Sequence, residues 1–407
     1  MKTVYIITQG HHFGVIEGLT HLIKEGLSMN FAVVTIINIH NQNDHIKFNQ
    51  LINIHSQPDL VIFTHINLCS LIINGQYITK LIKCRLAVLF MDSPILLYKQ
   101  TTELLPRLCE DSILILFDAK HKNSLRKYCD KYYSGKFDIL FLPYGGPLLK
   151  YDKAAPTEEK NIDLTIFCTL DEQITGKHDL AKSWDFALPT FSDSHFAHSI
   201  KYLTDLSNFL YTGNYDIDIF ELIERHFGIE FLLSNVELAD CAASFDAHIK
   251  RFRRLALVKE LLSSEYIASL KLKICGTGWD NIEKFHGSGL KINNVQFEGP
   301  KMYKDQFELF RKSKMVLNID PNWTSGCHDR VFNTMMSGSV ALTNTNLYCD
   351  FAFENRIDSL IYNTPKHTIN LIQENYNRLN AISAKGYEKA SKQHSWGNRM
   401  ESLLNHI

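Results

Sequence analysis

The sequence lacks the marks of several common protein classes. Its formal net charge is −1, so it has no basic excess for holding a polyanion, and we expect no nucleic-acid partner. Its nine cysteines form no CxxC pair, which favours reduced, mostly buried thiols in a cytoplasmic protein. No apolar run approaches the roughly 20 residues that cross a bilayer, and the opening MKTVYIITQG enters a strand without a cleavable signal. We therefore expect a cytoplasmic chain without a transmembrane segment, for which peripheral membrane contact stays open.

The motifs of dinucleotide and P-loop enzymes are also missing. A dinucleotide fingerprint needs GxGxxG after a strand. Gly10 and Gly14 have the wrong spacing for it, and Asn281 stands where a third glycine would follow Gly276 and Gly278. The Walker A spacing, which also needs a Lys-Ser or Lys-Thr pair, does not occur. Hydride chemistry is therefore disfavoured.

What the sequence does contain is a regular alternation of apolar strands and helices. In the first part of the chain, short Val/Ile/Leu runs alternate with helical stretches such as Gly14–Gly26 and Lys120–Lys131, which favours a parallel sheet covered on both faces. The predicted strands are Thr3–Thr8, Phe31–Ile37, Leu60–Thr64, Leu86–Phe90, Ile113–Phe117 and Ile139–Leu142. The charged stretch Lys150–Lys160 is typical of a linker. Residues 1–155 therefore form the first predicted domain.

A second alternating unit follows. Its predicted strands are Asp163–Cys168, Leu270–Cys275, Asn294–Glu298, Met315–Ile319, Ser339–Thr343 and Ser359–Ile361. The helical region after the first of these is too long for one crossover helix, so residues 171–240 are predicted to be a helical insertion in a second domain of residues 156–385. Residues 386–407 are predicted to form a helix that packs back toward the first domain. The fold class is α/β, with two domains and a cleft in which ligands of such sheets bind.

The segment Met315–Asn344 is the most informative part of the chain. It predicts a buried strand, a polar loop, a helix over Cys327–Ser337 and a second strand. One helix face is apolar, while Arg330 and Asn333 share another face. A helix start offers free backbone N–H groups and a positive dipole end, which suit a phosphate, and His328 and Arg330 add side-chain donors there. The pattern indicates a ligand site, although any α/β protein contains strand–loop–helix units.

This segment resembles the signature of CgeB-like glycosyltransferases, a bacterial group 1 family with the GT-B architecture of two facing Rossmann-like domains. The motif reads LNIDPN…HDRVFNTMMSGSVALTN. Three other stretches are similar to family motifs, in the family's order: Leu89–Pro94 (LFMDSP), Leu272–Asp280 (LKICGTGWD) and His394–Arg399 (HSWGNR). The resemblance implies a transferase that moves a sugar from a nucleotide-sugar donor to a glycan, lipid-linked or protein acceptor, in polysaccharide or glycoconjugate biosynthesis.

The resemblance also implies roles for residues of this chain. The donor nucleotide would meet residues of the second domain, which are Arg254, Gly276, Gly278, Trp279, Asn318, His328, Arg330 and Asn333. In the first domain, Asp92 lies at the family's acidic corner and would remove the acceptor proton. His11 and His12, directly after the first strand, are rival bases because the pKa of a histidine lies near working pH.

Each assignment has a structural alternative. Arg254 can belong to an exposed basic helix end, the Gly276–Gly278 stretch can be a tight turn without a ligand, and Asp92 can cap a turn. Related enzymes carry a glutamate that grips the donor ribose where Asn333 stands, and in some families a second carboxylate where Ser325 stands. An amide can still bond two hydroxyl groups, but it lacks the charge that strengthens such bonds.

No cofactor or metal ion is required by this interpretation. Asp216 and Asp218 match the DxD triplet with which another glycosyltransferase class binds a metal, but they fall in the predicted insertion and fit the start of a helix at Ile219. No HExxH or zinc-type Cys/His spacing occurs. Two other function classes stay open: a nucleotide-sugar epimerase of the same fold, and a non-catalytic module that binds a nucleotide or a glycan, which the missing carboxylates favour.

Overall fold

The computed structural model describes residues 2–9, 14–39, 44, 58–73, 75–148, 159–169, 219–279, 282, 289–319 and 323–407. Within these ranges the chain forms two parallel sheets of six strands each, covered by helices, and one short hairpin. The predicted α/β class with two domains is confirmed. Each predicted strand is present, with ends that shift by one or two residues.

The first sheet is built from the first third of the chain. Its strands are β1 (Thr3–Thr8), β2 (Val33–Asn38), β3 (Leu60–Phe63), β6 (Arg85–Phe90), β7 (Ile113–Leu116) and β8 (Asp138–Phe141), and a hairpin of β4 (Ile72–Ile73) and β5 (Gln76–Tyr77) was not predicted. The spatial order is β2-β1-β3-β6-β7-β8. The helices of this part are α1 (Val15–Met29), α2 (Ile78–Leu81), α3 (Tyr98–Leu104) and α4 (Ala119–Tyr133). The central strands are buried on both faces, which is why they consist of uninterrupted apolar runs.

The second sheet has the doubly wound order. Its strands are β9 (Ile162–Phe167), β10 (Leu272–Cys275), β11 (Val295–Glu298), β12 (Ser313–Leu317), β13 (Val340–Asn344) and β14 (Leu360–Tyr362). They lie in the order β11-β10-β9-β12-β13-β14. The direction of winding reverses between β9 and β12, and the crevice at such a switch point is the usual ligand site of this topology. The helices here are α8 (Glu265–Ala268), α9 (Tyr303–Lys312), α10 (Asp329–Met336), α11 (Leu347–Ala352), α12 (Pro365–Asn375), α13 (Leu379–Gln393) and α14 (Trp396–His406).

The described part of the predicted insertion lies against the first domain. It forms α5 (Ile219–Phe227) and α6 (Ile229–Ser234), followed by α7 (Val236–Ser263). Ile223, Leu232 and other apolar residues of these helices are buried in the same cluster as side chains of the first sheet. Although these helices follow β9 in chain order, they therefore complete the core of the first domain.

Helix α7 connects the two cores. Its first half contributes Phe245 and Ile249 to the apolar cluster of the first domain, and its second half contributes Val258 and Leu262 to the cluster beneath the second sheet. A helix of 28 residues is about 42 Å long at 1.5 Å per residue. It therefore acts as a continuous rod that is anchored in both domains. No helix in the described part of the chain combines the length and the apolar character needed to span a membrane.

The end of the chain returns to the first domain. Helix α14 lies along α1, so closely that a Cβ atom on Gly26 would stand 2.4 Å from the Trp396 carbonyl oxygen. The Lys2 ammonium group donates to the Leu404 carbonyl at 2.8 Å, and the Asn30 amide donates to the Gly397 carbonyl at 2.9 Å. This contact places the C-terminal helix on the domain that contains the N-terminus.

A buried carboxylate that follows β7 joins the two domains. Asp118 is fully buried, and its Oδ1 accepts hydrogen bonds from the Lys120 and His121 amides at 2.8 and 3.2 Å. Its Oδ2 accepts the Ser325 amide of the second domain at 2.8 Å, and the Ala119 amide donates to the Ser325 carbonyl at 3.1 Å. One side chain therefore caps α4 and holds the loop that leads to α10.

We predict that Asp118→Ala lowers the free energy of unfolding by about 2–4 kcal/mol, because it removes a helix cap and leaves a buried N–H group unsatisfied. Urea denaturation followed by circular dichroism measures this change. Asp130→Ala, at an exposed position of the same helix, is the control and should stay near the wild-type value. Equal stability of the two variants would contradict the proposed joint.

Candidate functional site

The switch point of the second sheet gathers most of the predicted donor residues. Strand β9 ends at Phe167 and is followed by Cys168, while β12 ends at Leu317 and is followed by Asn318. Because β9 and β12 are parallel neighbours, these residues share the carboxyl edge of the sheet. Helix α10 begins beside them, and its first turn carries Arg330.

Arg330 is held at this edge by contacts on two sides. Its Nη1 donates to the Asn318 Oδ1 at 3.2 Å, and its guanidinium carbon lies 5.9 Å from the centre of the Phe167 ring, within the range of a cation–π contact. Asn318 is itself fixed, because its Nδ2 donates to the Thr343 hydroxyl at 3.1 Å. The predicted residues Asn318 and Arg330 are therefore brought together, with the amide orienting the guanidinium group.

A second guanidinium group, that of Arg254, approaches the same point from α7. Burial raises the pKa of the Cys168 thiol to about 12, whereas the nearby Arg254 and Arg330 act to lower it. Both cations therefore lie within electrostatic range of the end of β9. The Arg254 Nε is buried and has no hydrogen-bond partner among the described residues. Two cations in electrostatic range of one strand end would supply the charge that a diphosphate requires.

The glycine turn after β10 packs against the backbone that follows β9. Gly276 has φ +151°, and a Cβ atom there would stand 1.8 Å from the Cys168 carbonyl oxygen. Gly278 has φ +84°, and the buried Trp279 donates its indole N–H to the Cys168 carbonyl at 2.6 Å. The glycines thus allow the turn to contact the backbone of β9, and Trp279 anchors it. These three residues shape the edge of the sheet through contacts within the protein.

His328 caps α10 and faces its first turn. Its Nδ1 lies 3.1 Å from the Arg330 amide nitrogen and 2.5 Å from a carboxylate oxygen of Asp329. Burial acts to raise the pKa of the Asp329 carboxyl, but the His328 ring, the Arg330 charge and the Tyr303 hydroxyl together lower the pKa to about 2. The expectation of free backbone N–H groups at the start of this helix needs correction, because the Arg330 amide donates to His328 Nδ1 and the Val331 amide donates to the His328 carbonyl. A ligand contact from His328 would have to come from Nε2.

Asn333 lies one turn further along α10 and is almost fully buried. Its Nδ2 donates to the Tyr303 hydroxyl at 3.0 Å and to Asp329 Oδ2 at 3.1 Å, and the Tyr303 hydroxyl donates to the same Asp329 oxygen at 2.7 Å. Tyr303 belongs to α9, so this triad fastens α9 to α10. The Nδ2 group is therefore committed to two neighbours inside the protein, whereas Oδ1 is buried without a hydrogen-bond partner among the described residues. The ribose contact predicted for Asn333 would have to come from Oδ1.

The predicted bases of the first domain are only partly described. Asp92 is exposed and follows β6 after one intervening residue, at the carboxyl edge of the first sheet. His11 and His12 lie outside the described residues. At the switch point of this sheet, between β1 and β3, the hydroxyl groups of Thr8, Thr20 and Thr64 form a buried chain with oxygen separations of 3.0 Å. Asp92 is therefore the one predicted base whose placement is known.

Two residues that organise the site were not predicted. Asp118 has a signal in the sequence, because an aspartate that directly precedes a predicted helix is a preferred N-cap, but its partner Ser325 is far away in the chain. Tyr303 has no such signal, since a tyrosine near a helix start is ordinary. In the described ranges no cluster of three or more His, Cys, Asp or Glu side chains is arranged to bind a metal ion, and Asp216 and Asp218 lie outside those ranges.

Comparisons with known proteins agree with this architecture. Residues 250–405 match a family model described as Glycosyl transferase-like, and no curated protein sequence matches the chain. HepE of Anabaena, solved with UDP and glucose, has a TM-score of 0.54 at 11% identity, covering 100% of this chain and 99% of its own. Sucrose-phosphate synthase of Thermosynechococcus elongatus has a TM-score of 0.52 at 9% identity, covering 100% and 98%.

A third similar structure is the DNA-modifying β-glucosyltransferase, which was studied with and without uridine diphosphoglucose. Its TM-score is 0.52 at 13% identity, and the match covers 99% of this chain and 98% of that one. At such identities the likeness concerns the fold. The chain therefore has the predicted GT-B architecture, over nearly its full length.

We predict that Asn333→Ala lowers the free energy of unfolding by about 1–3 kcal/mol, because Asp329 and Tyr303 lose a buried hydrogen-bond donor. Thermal and urea denaturation measure the change. Asn377→Ala removes an exposed amide of the same domain and should be neutral. If the two variants are equally stable, Asn333 does not fasten α9 to α10, and its amide is free for a ligand.

Proposed function

We propose that this protein is a glycosyltransferase that moves a sugar from a nucleotide-sugar donor to an acceptor hydroxyl group. The observation that carries the proposal is the position of Arg330 at the carboxyl edge of the second sheet, where Asn318 and Phe167 hold its guanidinium group, with Arg254 in electrostatic range of the same strand end. The match of residues 250–405 to a glycosyltransferase-like family model supports it. A CgeB-like subfamily is the finer form of the same proposal, based on the motifs of the sequence.

The donor is proposed to be a uridine diphosphate sugar. Two proteins with the same fold are described with UDP and glucose or with uridine diphosphoglucose, and their donors are the first candidates to test. In this chain the diphosphate would lie between Arg254 and Arg330, at the carboxyl ends of β9 and β12. A bidentate guanidinium group is well suited to phosphate oxygens.

The chemistry follows from this placement of charge. The acceptor oxygen forms a bond to the anomeric carbon while the bond from that carbon to the diphosphate oxygen breaks, and the leaving nucleoside diphosphate takes the electron pair. Negative charge builds on the diphosphate, where the two guanidinium groups would stabilise it without reorganising. We propose that these groups make a metal ion unnecessary. The proton of the acceptor hydroxyl passes to a base on the first domain, for which Asp92 is proposed ahead of His12 and His11.

A non-catalytic nucleotide- or glycan-binding module is the second candidate. Asn333 and Ser325 occupy the positions of two carboxylates in related enzymes, so neither side chain brings a negative charge to the donor, and the Asn333 Nδ2 group already donates inside the protein. Incubation of the protein with a panel of nucleotide sugars distinguishes the candidates. Slow hydrolysis of one donor supports a transferase, a changed sugar without nucleotide release indicates an epimerase, and binding without turnover indicates a module.

We predict that Arg330→Ala lowers donor turnover by about two to three orders of magnitude, the range for removing one preorganised charge donor. Arg330→Lys should recover part of the lost turnover, since lysine restores the positive charge but not the bidentate geometry of the guanidinium group. Release of the nucleoside diphosphate is the measurement, and Arg378→Ala, which removes an exposed arginine of the same domain, is the control. Near-normal turnover of Arg330→Ala would refute the diphosphate role.

We predict that Asp92→Asn abolishes transfer to an acceptor while donor affinity stays near wild type, because Asp92 lies on the first sheet, away from the crevice of the second. Transfer is followed with a radiolabelled donor, and affinity by calorimetry with UDP. Asp111→Asn, at an exposed position before β7, should be fully active. An active Asp92→Asn together with an inactive His12→Ala would move the base to the loop after β1.

A further inference from the structure

A cavity of about 440 Å³ opens in the first domain, outside the donor crevice. Its walls are the loop after β6, the first turns of α4, and helices α5 and α6. Its volume lies within the roughly 300–1,000 Å³ of small-molecule sites. The cavity exists because α5 and α6 pack against the first sheet, and it is therefore a product of the insertion.

The cavity adjoins both the proposed base and the second domain. Ser93, which lines it, directly follows Asp92 in the chain. His121, on the opposite wall, has its ring centre 6.0 Å from that of Trp323, in the loop that Asp118 holds at Ser325. A molecule in this cavity would thus lie at the carboxyl edge of the first sheet, on the boundary between the domains.

The lining combines opposite charges with polar and apolar groups. Lys127 lies 3.6 Å from Glu224, and the Ser124 hydroxyl also donates to Glu224. The lining holds three cations (Lys120, Lys127 and Arg225) and two carboxylates (Glu224 and Glu230), which is a formal excess of one positive charge and no strong field of one sign. Such a set supplies both donors and acceptors, which a ligand with many hydroxyl groups needs.

Apolar side chains complete this lining. Pro94, Ile95 and Ile229 form part of the wall and would cover the C–H face of a ring, while the exposed amide of Asn123 lies at the rim. A phosphorylated or strongly anionic ligand would instead require several unbalanced cations, whereas this lining has a formal excess of one. The lining therefore fits an uncharged saccharide better than an anionic one.

From this placement and lining we infer that the cavity binds the acceptor, and that the acceptor is a neutral saccharide. The inference rests on the proposed glycosyl transfer and assigns its acceptor side. One hydroxyl oxygen of the bound saccharide forms the new bond to the anomeric carbon of the donor, the nucleoside diphosphate leaves with the electron pair, and the hydroxyl proton goes to Asp92. The insertion helices thereby determine which acceptor is used.

The test blocks the cavity and measures binding without requiring activity. Asn123→Trp places an indole at the rim, and Lys131→Trp adds the same group at an exposed position of α4 that does not line the cavity. Saturation-transfer NMR with glucose, galactose, maltose and lactose, and with glucose 6-phosphate, reports binding. We expect at least one neutral sugar to bind to the wild type and to Lys131→Trp, but not to Asn123→Trp.

A second variant covers the case in which Asn123→Trp does not fold. Glu230→Ala keeps the cavity open but removes one acceptor of hydroxyl groups, and should weaken saccharide binding about tenfold or more, as expected for a lost hydrogen bond to a charged group. Donor hydrolysis in water should be equal in all variants, because the crevice of the second sheet is unchanged. Both readouts use the full-length protein.

The outcomes separate this inference from the proposed function. Saccharide binding that survives both Asn123→Trp and Glu230→Ala overturns the inference, as does binding of glucose 6-phosphate alone or of none of the sugars. If the variants lose saccharide binding while even the wild type hydrolyses no donor, the cavity is a saccharide site but glycosyl transfer is refuted. If Asn123→Trp and Glu230→Ala lose saccharide binding while all proteins hydrolyse the donor normally, both the acceptor cavity and the proposed glycosyl transfer are supported.

Discussion

The hydrogen bonds of the buried Asp118 carboxylate determine how the two domains meet. One oxygen satisfies the first amides of α4, and the other accepts the Ser325 amide across the domain boundary. A buried carboxylate is tolerated only when its lone pairs are occupied, so the loop around Ser325 cannot leave α4 without a cost in free energy. The loop around Ser325 leads into α10 and so positions Arg330. Helix α4, which Asp118 caps, forms one wall of the cavity. The donor crevice and the proposed acceptor cavity therefore share one polar joint.

Helix α7 imposes a second constraint, because it is embedded in both apolar cores. Its second half carries Arg254, while its first half packs with the insertion helices against the first sheet. A rod anchored at both ends transmits displacement along its axis. The same helix that carries Arg254 is therefore seated in both apolar cores, so the position of Arg254 depends on how the two domains are packed.

The sequence predicts what depends on local pattern. The strand Ile113–Phe117 was predicted and Ile113–Leu116 is observed, because an apolar run buried on both faces reveals itself without any partner. The helix predicted over Cys327–Ser337 is shorter in the structure, since His328 takes the cap position. The sequence motifs also identified Asn318 and Arg330, which lie together at the carboxyl edge of the second sheet. The bond from Asp118 to Ser325, the packing of α5 and α6, and the burial of Asn333 could not be predicted, because they depend on contacts between residues that are distant in the chain and leave no periodic trace.

The path of the chain limits how this protein can be divided. A cut after β8 would seem natural, since the first sheet is complete there. It would remove α5, α6 and the first half of α7, whose Ile223, Leu232 and Phe245 fill the core of the first domain, and also α14, which covers α1. The contiguous halves are therefore not independent folding units. A chimera that exchanges the second domain of this protein for that of another protein with the same fold must keep the insertion and the last helix together with the first sheet, so recombination has to follow the three-dimensional boundary.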